Sequence, residues 1–212
     1  MAAGWHARDA VETSQGNQFT VYHGDQELGR CSLPLAGGHN RSNALAAIAA
    51  AEHVGVDPYA AIDALGRFGG VARRLEVLGT VNDVTVIDDF AHHPSAIQAT
   101  LSGLRARVGP QVRILAVLEP RSNTMKLGTM RERLPGSLAE ADRVFCYSGG
   151  IDWDIGAALA PLGGRLQVHD RLNALVQAII AAAQPGDQVL VMSNGGFGGI
   201  HRELLRLLEV HR

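Results

Sequence analysis

The stretch Val84-Thr-Val-Ile-Asp-Asp-Phe-Ala-His-His-Pro94 limits what this chain can fold into more than any other. Val84 and Val86 alternate with polar neighbours as in a strand. Pro94 then opens a helical pattern with Ile97, Leu101, Leu104 and Val108 on one face. Asp88, Asp89, His92 and His93 fall where the strand ends and the helix begins. In parallel α/β sheets that is the carboxyl edge, where ligands bind. A carboxylate there can also cap the helix, stabilised by free N–H groups and the helix dipole. Capping accounts for one aspartate and leaves the other three ionisable groups unexplained, so the stretch is read as a candidate site.

Strand and helix patterns keep alternating downstream. Leu75-Glu-Val-Leu-Gly-Thr and Val84-Thr-Val-Ile suggest a β-hairpin turning at Val81-Asn82-Asp83. After the helix that Pro94 opens come a buried strand over 112–118, a helical stretch near 129–139 and a strand over 143–147. Asp170 is placed to cap a helix whose face carries Leu172, Leu175, Val176, Ile179 and Ile180. A strand over 188–192 and a helix over 200–208 follow. Near-continuous apolar strands alternating with helices argue for a mostly parallel sheet covered on both faces. Residues 73–212 are therefore expected to form a complete Rossmann-like α/β domain.

The preceding segment, 1–72, reads as part of a second α/β domain. Two strands, 19–22 and 27–33, meet at His23-Gly24-Asp25-Gln26, and two helices follow, from Ala44 and from Pro58. So few elements make a poor core, and the segment is expected to stack on a sheet outside this chain. Gly69-Gly70 marks the boundary.

Three strand ends in 73–212 carry unusual residues: Asp88–His93, Glu119-Pro-Arg-Ser-Asn-Thr124 and Ser193-Asn-Gly-Gly-Phe-Gly-Gly199. In a parallel sheet all three lie on one edge and can serve one ligand. The glycine loop either binds phosphate through its N–H groups or simply allows tight turns. It does not fit G-x-G-x-x-G, which disfavours a dinucleotide dehydrogenase. Arg121 is either a solvated cation or a bidentate partner for a carboxylate or phosphate. Asn40 and Asn43, beside Gly37-Gly38-His39, either cap a helix or present amides to a base edge. Arg73 and Arg74 form either a surface pair or a phosphate contact across a cleft.

Charge and composition exclude several classes. A formal net charge of −2 favours neither a nucleic-acid nor a membrane-surface partner. Cys31 and Cys146 lack metal-ligand spacing, and no apolar run approaches a membrane span. Met1-Ala-Ala-Gly-Trp5 does not read as a signal peptide, and a reducing cytoplasm is the expected setting. Lys126 is the only lysine and no G-x-x-x-x-G-K-[ST] loop is present.

Together these segments resemble the Mur ligases, ATP-dependent amide-bond formers of peptidoglycan synthesis. Gly38-His-Asn-Arg-Ser-Asn-Ala-Leu-Ala-Ala47 is similar to the motif closing that family's central domain. Asp88-Asp-Phe-Ala-His-His-Pro94 is similar to the motif opening its C-terminal domain, with Phe90 in place of the usual Tyr. Glu119–Gly128 and Ser193–His201 resemble a recycling branch that joins the tripeptide L-alanyl-γ-D-glutamyl-meso-diaminopimelate to UDP-N-acetylmuramate, rather than the L-alanine-adding branch. The resemblance covers nearly the whole chain. It implies a three-domain enzyme of which this chain is the end of the central domain and the C-terminal domain. The UDP-binding domain and the phosphate loop would lie in the missing N-terminal part. Such a fragment is expected to be inactive alone, to hold no metal and to bind no cofactor tightly; ATP and Mg2+ belong to the full enzyme. The resemblance also implies an ATP site at Asn40, Asn43, Arg74, Asp89 and His92, and an amino-substrate pocket at Arg121, Asn123, Ser193, Asn194 and Phe197. The rivals are a fragment of the L-alanine-adding ligase and a non-catalytic nucleotide- or partner-binding module.

Overall fold

The computed structural model describes residues 4–13, 16–35 and 37–210. The chain divides into two compact units: residues 1–70 with 106–109, and residues 71–105 with 110–212.

In the first unit, strands β1 (Trp5–Thr13), β2 (Gly16–His23) and β3 (Gln26–Leu33) form an antiparallel sheet in chain order. The last two are the expected pair, joined at Gly24-Asp25. β1 was not foreseen, because His6, Arg8, Asp9 and Glu12 break any apolar alternation. It is a mostly exposed edge strand with a register break between Arg8 and Val11. Helices α1 (Gly38–His53) and α2 (Pro58–Gly66) complete the unit. α2 starts where sequence rules place it: Asp57 accepts a bond from Ala60 N–H and Pro58 occupies the first turn. Phe19, Val21, Cys31 and Leu33 pack with Ala44, Ile48 and Ile62 in a small core. The third strand makes this core larger than two strands alone would give, yet α1 buries only Ala44 and Ile48.

The second unit holds β4 (Glu76–Val81), β5 (Val84–Asp89), α3 (Pro94–Val108) as far as Arg105, β6 (Ile114–Leu118) and α4 (Asn123–Lys126). It continues with α5 (Leu134–Ser137), β7 (Arg143–Tyr147), α6 (Ile155–Leu159), β8 (Leu166–His169), α7 (Leu172–Ala182), β9 (Gln188–Met192) and α8 (Ile200–Val210). The six strands run in the order β4-β5-β9-β6-β7-β8, all parallel except β4, which pairs antiparallel with β5. This is the mostly parallel α/β sheet expected. The β4–β5 turn has Asn82 and Asp83 at φ 49° and 62°, the left-handed pair a two-residue hairpin turn needs and which Asn and Asp tolerate.

Val86, Leu115, Val117, Val189 and Val191 meet α7 and α8 through Leu175, Ile179, Ile200 and Leu204. Alternate strand residues Ile87, Ala116, Leu118, Leu190 and Met192 are equally buried, as a sheet covered on both faces requires. Two expectations fail locally. The helix expected over 129–139 is one 3-10 turn, Arg131–Arg133, followed by the four-residue α5, because Pro135 and Gly136 interrupt it. Asp170 does not cap α7: Arg171 holds the cap position and no side chain bonds there. The short elements α6 and β8 were not foreseen. Among the described residues no helix is long and apolar enough to cross a membrane.

Candidate functional site

Register alone brings the unusual loops together. Asp89 and Leu118 both sit opposite Met192, and Leu118 also sits opposite Cys146. The loops after β5, β9, β6 and β7 therefore leave the same edge of the sheet, with the β9 loop between those of β5 and β6.

Asp88, next to last in β5, has little exposure, and a buried carboxylate needs a cation. Arg73, just ahead of β4, supplies it: its Nε donates to Asp88 Oδ2 at 2.9 Å. Its Nη2 donates to the carbonyls of Ser193 at 2.7 Å and Gly195 at 2.9 Å, and the guanidinium lies over the Phe90 ring. Arg73 takes φ 60°, a left-handed conformation that a non-glycine residue keeps only when its surroundings hold it. One side chain thus ties β5, the β9 loop and the chain entering β4. The other oxygen of Asp88 lies 3.1 Å from His201 Nε2. The alignment falls short of a good hydrogen bond, and neither atom has another partner among the described residues. Burial, opposed by Asp88 and assisted by Arg73, holds the His201 imidazole below its ordinary range.

Asp89, expected at the ribose, is 1% exposed. Its carboxylate accepts from Leu75 N at 2.9 Å, Ala91 N at 2.8 Å and the Thr100 hydroxyl at 3.1 Å. In this structure it braces the strand-to-helix loop from within. His92 is the half-buried imidazole beside it. His92 Nδ1 lies 2.9 Å from the Phe90 carbonyl, which can only accept, so Nδ1 donates there. His93 Nδ1 bonds Ser95 at the start of α3, a local capping role.

Ser193 is fully buried, so it does not line an open pocket. Its hydroxyl donates to the Glu119 carboxylate and accepts from Gly195 N at 2.9 Å, locking the β9 loop to the β6 loop. Phe197, expected in the same pocket, is 2% exposed and packs with Leu175, Ile200 and Leu204. Its φ of 41° turns the ring inward, toward Tyr147. Arg121 is exposed and makes no ion pair among the described residues. Its guanidinium lies directly on Gly195, where a Cβ would fall 1.8 Å from Nη1. Asn123 is exposed at the start of α4, whose cap is Ser122 accepting from Met125 N. Asn194 is half-buried, and its Oδ1 has no hydrogen-bond partner among the described residues. Arg74 is exposed.

In the first unit, Asn40 and Asn43 fall within α1, not at its cap. That position belongs to Gly37, with no side-chain bond. The capping reading of the asparagines is therefore corrected. Asn40 is half-buried and Asn43 exposed.

The edge thus presents a rigid frame, Arg73–Asp88–His201 with Ser193–Glu119, beside an accessible cation and amides on Arg121, Asn123 and Asn194. Sequence reading missed Arg73 and His201 as members of the frame. The available signal was Asp88 itself, since a strand-end carboxylate inside an apolar sheet implies a partner cation. Among the described residues no group of three or more His, Cys, Asp or Glu side chains converges to hold a metal ion.

Residues 73–195 match the family model for the glutamate ligase domain of Mur ligases. The chain belongs to the Mur ligase family. Its relatives include the Escherichia coli UDP-N-acetylmuramate–L-alanyl-gamma-D-glutamyl-meso-2,6-diaminoheptandioate ligase, 46% identical over 95% of this chain and 44% of that protein. The UDP-N-acetylmuramate–L-alanine ligase of Thermobifida fusca is 34% identical over 91% of this chain and 44% of that protein. The solved murein peptide ligase of Psychrobacter arcticus shares the fold with a TM-score of 0.77 and 38% identity, over 98% of this chain and 45% of that one. The chain thus spans less than half the length of these relatives.

Proposed function

We propose that this chain is part of an ATP-dependent ligase that joins L-alanyl-γ-D-glutamyl-meso-diaminopimelate to UDP-N-acetylmuramate in peptidoglycan recycling, in the bacterial cytoplasm. The observation that carries this is the higher identity to the tripeptide ligase than to the L-alanine ligase, along almost the whole chain. In the proposed reaction the lactyl carboxylate of UDP-N-acetylmuramate takes the γ-phosphoryl group of ATP and ADP leaves. The L-alanyl amine then attacks the acyl phosphate carbon, loses a proton, and expels phosphate. Such chemistry needs positioning and charge neutralisation more than a protein nucleophile.

The accessible residues at the sheet edge suit the amine substrate. Arg121 offers a two-pronged donor for a carboxylate, with Asn123 and Asn194 as amide partners. Ser193 and Phe197 hold the loop that carries Asn194. For the nucleotide, Asn40 and Asn43 are proposed at the base, Arg74 at the phosphates and His92 near the ribose, with Asp89 fixing the loop that presents His92. Magnesium and the phosphate loop are assigned to the remainder of the protein, and no step here passes through a metal.

The test is amide formation by the full-length protein from UDP-N-acetylmuramate and ATP, offered the tripeptide or L-alanine. The tripeptide is the expected amine substrate. A clear preference for L-alanine would transfer the chain to the other branch.

A further inference from the structure

Beyond Arg121, the loops following β6 and β7 wall a cavity of about 280 Å³, lined by Arg131, Glu132, Trp153, Asp154, Ala157 and Ala158. Both loops leave the carboxyl edge of the sheet, the edge that carries Arg121. The cavity wall is fixed before any ligand arrives. Trp153 Nε1 donates to the Met125 carbonyl at 3.0 Å. Gly128, at φ 67°, lies against the indole so closely that a Cβ would sit 3.1 Å from its Cδ1. Asp154 caps α6 with Oδ1, accepting from Ala157 N at 2.9 Å, and its Oδ2 has no hydrogen bond among the described residues.

The charges on this cavity are mixed and unspent. Neither the Arg131 nor the Glu132 side chain makes a hydrogen bond or ion pair among the described residues, and neither pairs with Asp154. Opposite charges that line one cavity without neutralising each other suit a ligand carrying both signs. Trp153, Ala157 and Ala158 add an apolar wall that suits a short methylene chain between the ligand's charged end and the rest of it.

We propose that this cavity binds the distal amino-acid end of the amine substrate: its carboxylate on Arg131, its ammonium between Glu132 and Asp154, and its methylenes on Trp153. This deepens the ligase reading and rests on it for the identity of the peptide. A diaminopimelate side chain ends in a carbon bearing both an ammonium and a carboxylate. The corresponding lysine side chain ends in an ammonium alone. Arg131 is therefore the residue that tells the two tripeptides apart.

The test is calorimetric titration of the chain with L-alanyl-γ-D-glutamyl-meso-diaminopimelate and with its lysine counterpart. The diaminopimelate peptide is expected to bind about tenfold tighter, one charged hydrogen-bonded contact being worth about that factor. Arg131→Gln should erase the difference, and its exposed position leaves the thermal midpoint unchanged. Glu132→Gln with Asp154→Asn should weaken both peptides, since Asn keeps the α6 cap. Equal binding of the two peptides, no binding, or an unchanged preference in Arg131→Gln would overturn the proposal. Amide formation by the full-length enzyme separates the two readings. If it ligates the tripeptide with its preference intact in Arg131→Gln, the cavity assignment fails and the function stands. If it does not ligate the tripeptide while the chain still binds it through Arg131, the function fails and the cavity stands.

Discussion

Asp88 Oδ1 and His201 Nε2 lie 3.1 Å apart and have no other partners among the described residues, so the end of β5 and the first turn of α8 meet through a buried contact. Burial disfavours the charged ring, and the folded protein holds His201 as a weaker base than the unfolded chain does. Above the ordinary imidazole value of 6.5 the neutral ring's contribution to stability is complete. As pH falls from there through the lowered folded value, the unfolded chain binds the proton first and that contribution is lost. The thermal midpoint should therefore drop between about pH 7 and about pH 5 by more than in His201→Gln, which has no ring to titrate. Parallel pH profiles for the two proteins would exclude His201 as the cause.

Arg73 holds Asp88 and two carbonyls of the β9 loop, whereas its neighbour Arg74 is exposed. Arg73→Ala leaves a buried carboxylate without its cation and should cost about 3–5 kcal/mol in urea unfolding. Arg74→Ala should cost less than about 0.5 kcal/mol. Similar losses from both substitutions would show that Arg73 is not the tie.

Asp89→Ala removes an acceptor shared by two backbone N–H groups and the Thr100 hydroxyl. The loss should be about 3 kcal/mol of folding stability. In the full-length enzyme the ATP KM, measured well below the melting range, should rise together with this loss of stability, because the loop that presents His92 loses its brace. A large rise in ATP KM at unchanged stability would restore Asp89 to the ribose.

Much of this architecture is legible in the sequence because it is local or periodic. The Asn82-Asp83 turn, the Pro94 helix start and the apolar strands each follow from a few neighbouring residues. Strand order does not. β9, the last strand, inserts between β5 and β6, and only that insertion places Ser193 within reach of both Glu119 and Arg73. The family resemblance implies a pocket position for Phe197, and in the structure a left-handed backbone sets its ring in the core. A capping reading stays open for Asn40 and Asn43 because the sequence does not reveal that α1 starts at Gly38. β1 hides because an exposed edge strand carries no apolar alternation.

Gly195 gives Arg121 its resting place. In Gly195→Ala the new methyl group meets the far end of a flexible side chain, so Arg121 swings away at little cost to the fold. Stability should change by less than about 1 kcal/mol. In the full-length enzyme the tripeptide KM should rise while the ATP KM stays put. Arg121→Lys, which keeps the charge and loses the two-pronged donor, should lower kcat/KM for the tripeptide by about tenfold. Normal tripeptide kinetics in both variants would remove Arg121 from the site.

The most direct measurement follows oxygen. UDP-N-acetylmuramate labelled with 18O in its lactyl carboxylate is incubated with ATP, the tripeptide and the full-length enzyme. The released phosphate is then examined by mass spectrometry. An acyl phosphate that the L-alanyl amine opens carries one carboxylate oxygen into each phosphate released, so label should appear in phosphate in step with amide product. Phosphate free of label, or label released with L-alanine and not with the tripeptide, would contradict the proposed reaction.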